Sequence, residues 1–93
     1  MWILIRPICD RFGMDPDHQV KRMTTLGIPT QLIPVGPSRA RALLAVDVYL
    51  WIASISSRPT RFAKTFASWR AQCIQALRTL AHQAAGSDRQ RHL

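Results

Sequence analysis

An apolar residue recurs every three or four positions over the last third of this chain, and this stripe constrains the fold more than any other feature. Such spacing places the residues on one face of an α-helix. The stripe consists of Phe62, Phe66, Trp69, Cys73, Leu77, Leu80 and Ala84. The opposite face is polar, with Arg61, Lys64, Ser68, Gln75, Thr79 and His82. The pattern predicts one long amphipathic helix from Pro59 or Thr60 to about Ala84, with a stop at Gly86.

This stripe has two interpretations. A helix that packs against the core of its own chain is the favoured interpretation, because this is the usual role of such a face. The alternative is a seam between two copies, because the stripe is close to the length that indicates a coiled coil. Arg70 falls at the edge of the apolar arc, and we expect its stem to cover the core while its charged head reaches water.

The start of the chain predicts a short strand and a short helix. Residues Trp2 to Ile5 are bulky and β-prone, which favours a strand. Pro7 suits the first position of a helix, and Gly13 suits the left-handed residue that ends one. Ile8, Cys9 and Phe12 give this helix of about two turns its apolar face.

A second helix is predicted directly afterwards. Asp15 is a good N-cap residue and Pro16 a good first residue, and Gly27 would end the helix. Val20 and Met23 are expected to face inward. The remaining faces are then left to Gln19, Lys21 and Arg22.

A proline-rich stretch separates these helices from the second half of the chain. Three prolines within residues 28–37 restrict it to an edge strand or an extended connection. We predict a strand over residues 31–35, a turn over 36–38 and a returning strand over 39–45, with Arg39 and Arg41 near the hairpin tip. Asp47 is the expected N-cap of a third helix over residues 48–55, which residues 56–59 interrupt.

Together these elements predict a single α+β domain over residues 1–86, followed by a frayed polar tail at residues 87–93. A small antiparallel sheet, made of the short N-terminal strand and the proline-rich hairpin, would pack with three short helices and the long C-terminal amphipathic helix. Trp51 and Trp69 are expected in the core. Apolar runs are too short for a signal peptide or a membrane span, so we expect a cytoplasmic protein without a membrane partner.

The charge balance is strongly basic, with 13 Lys+Arg against 5 Asp+Glu and a net charge of +8. A GC-rich genome would explain the excess of Arg over Lys, but not the complete absence of Glu. The charge therefore favours an anionic partner, such as a phosphate backbone or an acidic protein face.

Catalytic chemistry finds little support in the sequence. Cys9 and Cys73 form no C-x-x-C pair, and the three histidines are not spaced to complete a zinc site. The sequence also lacks a phosphate-binding loop and a recognisable nucleophile–base pair. We therefore expect no catalytic residue, no metal and no cofactor, and two buried, reduced cysteines.

Two blocks of the sequence resemble the N-terminal domain of phage antirepressor proteins, which is related to the Bro-N group of phage and large-virus proteins. The first block contains Arg-Pro-Ile-Cys at residues 6–9, the glycine turn at Gly13 and the Gln-containing second helix. The second contains Leu-Trp-Ile-Ala-Ser-Ile at residues 50–55, Arg58 and the long helix. The resemblance covers about residues 2–80. The family usually opens with a β-hairpin, of which this chain matches only the second strand, and often carries a further C-terminal domain.

The resemblance implies a phage or prophage regulator without catalytic activity. Antirepressors bind a repressor and lift lysogeny, so the expected partner is an acidic face of a phage repressor or a host defence complex. The Bro-N relatives imply an alternative, a sequence-tolerant DNA-binding module that uses the second helix and the hairpin tip. Family members assemble, so a homodimer is a further expectation.

The candidate contact residues are basic or amide side chains. Lys and Arg can contact phosphates or acidic side chains, and Gln can reach base edges. The predicted contacts are Gln19, Lys21, Arg22, Arg39, Arg41, Arg58, Arg61 and Lys64.

Overall fold

The computed structural model describes the backbone of residues 1–91 and the side chains of residues 1–85. In chain order the elements are β1 (Trp2–Leu4), α1 (Ile5–Phe12), α2 (Pro16–Thr25), β2 (Thr30–Val35), β3 (Ser38–Leu44), α3 (Ala45–Ala53) and α4 (Thr60–Arg91). The three strands form one antiparallel sheet in the order β1-β3-β2. The predicted α+β class, with a small sheet and a long last helix, is confirmed.

The sheet is built around β3, which pairs with both other strands. Val35 lies opposite Ser38, and residues 36 and 37 make the turn between β2 and β3. Pro34 lies in β2, at an edge of the sheet, where a missing N–H donor is tolerated. On the other side Trp2 lies opposite Leu44, and the Ala45 N–H donates to the Met1 carbonyl at 2.9 Å. β3 ends at Leu44 and α3 begins at Ala45, so the strand passes into the helix without a loop.

The end of α1 and the start of α2 lie as predicted, whereas α1 begins at Ile5, before the predicted first position at Pro7. Gly13 follows α1 with φ 66° and closes it in the left-handed conformation. A Cβ atom at Gly13 would lie 2.7 Å from Cε2 of Phe62, so this turn also needs glycine for space. Asp15 caps α2, because its Oδ1 accepts a hydrogen bond from the Asp17 N–H at 3.2 Å, and Pro16 is the first helical residue.

The core lies between the sheet and the helices α1 and α3, with α2 packed on α1 and the first half of α4 packed on α3. Its largest fully buried side chains include Trp51, Phe66 and Met23. Trp51 is thus a core residue, as predicted. Trp69, also predicted in the core, is partly buried, packs against the core and stacks on Phe12 with ring centroids 5.4 Å apart.

The boundaries of α3 differ from the prediction. The helix begins at Ala45 with Leu44 at the N-cap position and without a side-chain cap, and Asp47 lies in its first turn. Asp47 was wrongly predicted as the N-cap because β3 continues into the helix without a loop. Its carboxylate still lies near the positive end of the helix dipole.

The end of α4 also differs from the prediction. The helix continues through Gly86 to Arg91, whereas the sequence predicted an end near Ala84. A glycine costs a helix only about 1 kcal/mol relative to alanine, so it does not by itself stop one. The predicted tail at residues 87–93 thus overlaps this helix, and its last two residues lie outside the described part.

The apolar stripe of α4 is covered only in its first half. Phe66 and Cys73 are buried, while Leu80 is 40% exposed. The core-packing interpretation is confirmed for that first half. A seam between two copies, formed by the second half, stays a prediction.

Candidate binding cleft

A cleft of about 540 Å³ lies between α1, α2 and β3. Four cationic side chains from these three elements line it, namely Arg6, Lys21, Arg39 and Arg41. Arg39 and Arg41 are two residues apart on β3, so their side chains project from the same face of the strand. The cleft therefore combines charges that are up to 35 positions apart in the sequence.

Apolar atoms and one acid complete the cleft. Ile5, Val20 and Ala40 contribute apolar surface, and Asp17 lies at the start of α2. This combination can hold an anionic group while an apolar group next to it is removed from water. It can also offer one carboxylate to a donor on the partner.

The cations of the cleft are not neutralised within the described chain. Among the described side chains the ion pair within 4 Å joins His18 Nδ1 to Asp15 Oδ2, at 3.8 Å, and it involves no Lys or Arg. Arg41 donates from Nη1 to Thr30 Oγ1 at 3.0 Å, which leaves its remaining N–H groups for a partner. The positive potential of the cleft is thus available to an external anion.

Gln19 does not belong to this surface. It is 7% exposed, and its Oε1 accepts a hydrogen bond at 3.0 Å from Nε1 of the fully buried Trp51. Its prediction as a contact residue was wrong, because a buried indole N–H from α3 needs an acceptor and α2 supplies it. This bond also joins the two sequence blocks that carry the resemblance, since Gln19 belongs to one and Trp51 to the other.

Two further predicted contacts serve the ends of helices instead. Arg58 donates from Nε to the Phe12 carbonyl at 3.1 Å and from Nη2 to the Gly13 carbonyl at 2.6 Å. Arg22 donates from Nη1 to the Ser54 carbonyl at 3.2 Å, at the end of α3. Helix C-termini carry unpaired carbonyls and a partial negative charge, which cations stabilise.

Arg70 has the same kind of role at the end of α3. Its Nη2 donates to the Ala53 carbonyl at 2.9 Å. The end of a neighbouring helix thus holds part of the guanidinium, through an acceptor that the sequence does not reveal.

Arg61 and Lys64 lie exposed on α4 and do not line the cleft. The Arg61 guanidinium lies 4.5 Å from the centroid of the neighbouring Phe62 ring. Of the eight predicted contacts, the cleft thus brings together Lys21, Arg39 and Arg41.

The cleft also contains a residue that sequence reasoning missed. Arg6 lies in the first turn of α1, where the helix dipole disfavours a cation. This mismatch between residue and position was the available signal, because a residue placed against a local preference often serves a function.

The two thiols are not activated for nucleophilic chemistry. Cys9 and Cys73 are both buried and free. Burial raises the pKa of the Cys9 thiol to about 11, with a smaller contribution from Asp10 and Asp15. Burial also raises the pKa of the Cys73 thiol. Both therefore stay protonated near neutral pH.

The described part of the chain carries neither a metal cluster nor a membrane span. Residues described there form no group of three or more His, Cys, Asp or Glu side chains that could hold a metal ion. No described helix is long and apolar enough to cross a membrane.

Comparison with known proteins gives no assignment. No protein-family model, curated protein or solved structure matches this chain.

Proposed function

We propose that this chain is a non-enzymatic regulatory binding protein of the antirepressor kind, which captures an acidic face of another protein in the basic cleft. The observation that carries the proposal is the convergence of four cations on one cleft without an ion pair to any described acid. The sequence resemblance adds the class of partner, which is a phage repressor or a host defence complex in the bacterial cytoplasm.

The mixed chemistry of the cleft favours a protein partner over nucleic acid. Asp17 would repel a phosphate backbone, whereas a protein surface can present an acid to the arginines and a donor to Asp17. The apolar surface of Ile5 and Val20 suits an apolar side chain beside the acid. Arg39 and Arg41 are the expected centre of the contact, since arginine is enriched among residues that dominate binding energy.

Sequence-tolerant DNA binding is the second candidate, and the unpaired charge of the same cleft supports it. Burial of Gln19 removes the side chain of α2 that was expected to read base edges. Any DNA binding would therefore rest on phosphate contacts and would not depend on sequence.

The test uses two probes and two variants with the same change in charge. The probes are a ten-residue polyglutamate peptide and a mixed-sequence DNA duplex, each titrated at about 50 and 200 mM salt. The cleft variant carries Arg39→Gln and Arg41→Gln. The control carries Arg61→Gln and Lys64→Gln on α4, outside the cleft.

We expect the cleft variant to bind polyglutamate about tenfold or more weakly, and the control variant to change affinity by less than about threefold. Both variants should keep the wild-type thermal midpoint, because all four residues are exposed. An equal loss of affinity in both variants would show that binding follows net charge, and it would contradict the proposal that the partner binds in the cleft. Tighter binding of DNA than of polyglutamate, with the same response to the variants, would favour the second candidate.

A capture experiment then addresses the partner itself. Immobilised wild type, cleft variant and control variant are each exposed to a lysate of the lysogenic host. A partner retained by wild type and control but lost by the cleft variant would support the proposal. A partner retained equally by all three would place the contact elsewhere.

A further inference from the structure

We propose that a second cavity, between α4 and the segment that precedes it, binds a small carboxylate carrying a short apolar chain. This cavity has a volume of about 280 Å³. It is lined by Ser56, Ser57 and Arg58 of the segment and by residues of α4, including Arg70. None of these residues lines the basic cleft, so this site is independent of the proposed function.

The polar side of the cavity has unused hydrogen-bond donors. Arg70 Nη2 is held by the Ala53 carbonyl and Nε is buried, so Nη1 is the nitrogen of this guanidinium that is left for a ligand in the cavity. A carboxylate is the acceptor that a guanidinium binds best. The hydroxyl groups of Ser56 and Ser57 can donate to the same carboxylate.

The electrostatics of the cavity favour an anion. Arg58 and Arg70 both line it, and no acidic side chain does. Arg58 uses Nε and Nη2 for the carbonyls of Phe12 and Gly13, which leaves Nη1 uncommitted. Both guanidinium groups are fixed by backbone carbonyls, so a ligand would find them already oriented.

The other side of the cavity is apolar. Phe66, Ile74 and three alanines of α4 form this wall, and Phe66 is 2% exposed. This wall has no donors or acceptors that could replace the water around inorganic phosphate. It suits a short alkyl chain, which gains by leaving water. The volume lies just below the usual range of ligand pockets, which favours a small acid.

The experiment is an amide chemical-shift titration of the isotope-labelled full chain with hexanoate as the probe. Hexan-1-ol and sodium phosphate are the comparison compounds, because each shares only one half of the proposed chemistry. We expect saturable shifts of the Ser57 and Ala67 amides with a dissociation constant of about 1–10 mM. Both comparison compounds should bind at least about tenfold more weakly at these amides.

Two variants on α4 make the result specific. Ala67→Leu places a larger side chain in the cavity, and Ala81→Leu adds the same atoms at an exposed helical position that does not line it. We expect Ala67→Leu to weaken hexanoate binding at least about tenfold and Ala81→Leu to leave it unchanged. Both positions are exposed on the helix, and the amide spectrum verifies that each variant folds.

Three results would overturn the proposal. The first is the absence of saturable shifts at the cavity up to about 50 mM hexanoate. The second is binding of hexan-1-ol as tight as that of hexanoate, because it would remove the role of the carboxylate. The third is a set of hexanoate shifts confined to Lys21 and Arg39, because it would place the anion in the basic cleft.

Discussion

The hydrogen bond between Gln19 and Trp51 predicts a specific loss of stability. Gln19→Met keeps the approximate volume of the side chain but removes the acceptor of the Trp51 Nε1–H group, which is fully buried. Leaving a buried donor unpaired costs about 1–3 kcal/mol, and we expect about 2 kcal/mol here. In a domain of this size each kcal/mol moves the thermal midpoint by about 4–8 °C, so the variant should melt about 8–16 °C below the wild type.

Urea unfolding of a double-mutant cycle measures the same bond directly. Trp51→Phe removes the donor, and the double variant removes both partners. The losses of unfolding free energy in the two single variants, added together, should therefore exceed the loss in the double variant by about 1–2 kcal/mol. Gln72→Met is the control, since Gln72 is exposed on α4 and its replacement should stay within about 0.5 kcal/mol. Strict additivity, or a Gln19→Met variant as stable as the control, would refute the bond as a source of stability.

Two further predictions concern a turn and a thiol. Gly13→Ala should destabilise more than Gly27→Ala, by about 1 kcal/mol or more in urea unfolding. Both residues have positive φ, but only at Gly13 would the new Cβ lie 2.7 Å from Phe62; equal losses would remove the steric contribution. The pKa of Cys9 rises from 9.0 to about 11 on folding, so its contribution to stability is complete below pH 9 and falls by about 2 kcal/mol as the pH rises to 11. Unfolding of wild type and Cys9→Ala at pH 8 and 11 checks this, and parallel pH dependences would contradict it.

Local signals predicted the parts of the fold that short sequences determine. The Asp15 cap and the Gly13 turn depend on residues next to them, and both appear as expected. The spacing of apolar residues along α4 predicted its buried face in the same way, and Phe66 and Cys73 are buried there. The start of α3 escaped prediction because its first N–H groups are positioned by the continuous chain from β3 and by the Met1 carbonyl, not by a polar cap.

The candidate site was only partly predictable, for a different physical reason. Composition indicates that a chain is basic, but it does not indicate which cations face a helix end. Lys21, Arg39 and Arg41 remain exposed around the cleft, whereas Arg22 donates to a carbonyl of a residue 32 positions away. Such assignments depend on tertiary packing, and helical or strand periodicity does not encode them.

Arg58 provides the sharpest test of this division between structural and contact arginines. Its two hydrogen bonds to the Phe12 and Gly13 carbonyls require the fork of a guanidinium, which lysine cannot reproduce. Arg58→Lys keeps the charge but should lower the free energy of unfolding by about 2 kcal/mol, whereas Arg61→Lys on the exposed face of α4 should change it by less than about 0.5 kcal/mol. A partner-contact role for Arg58 predicts the reverse pattern, with stability retained and polyglutamate binding reduced. Urea unfolding and the polyglutamate titration on the same two variants therefore distinguish a structural from a contact role.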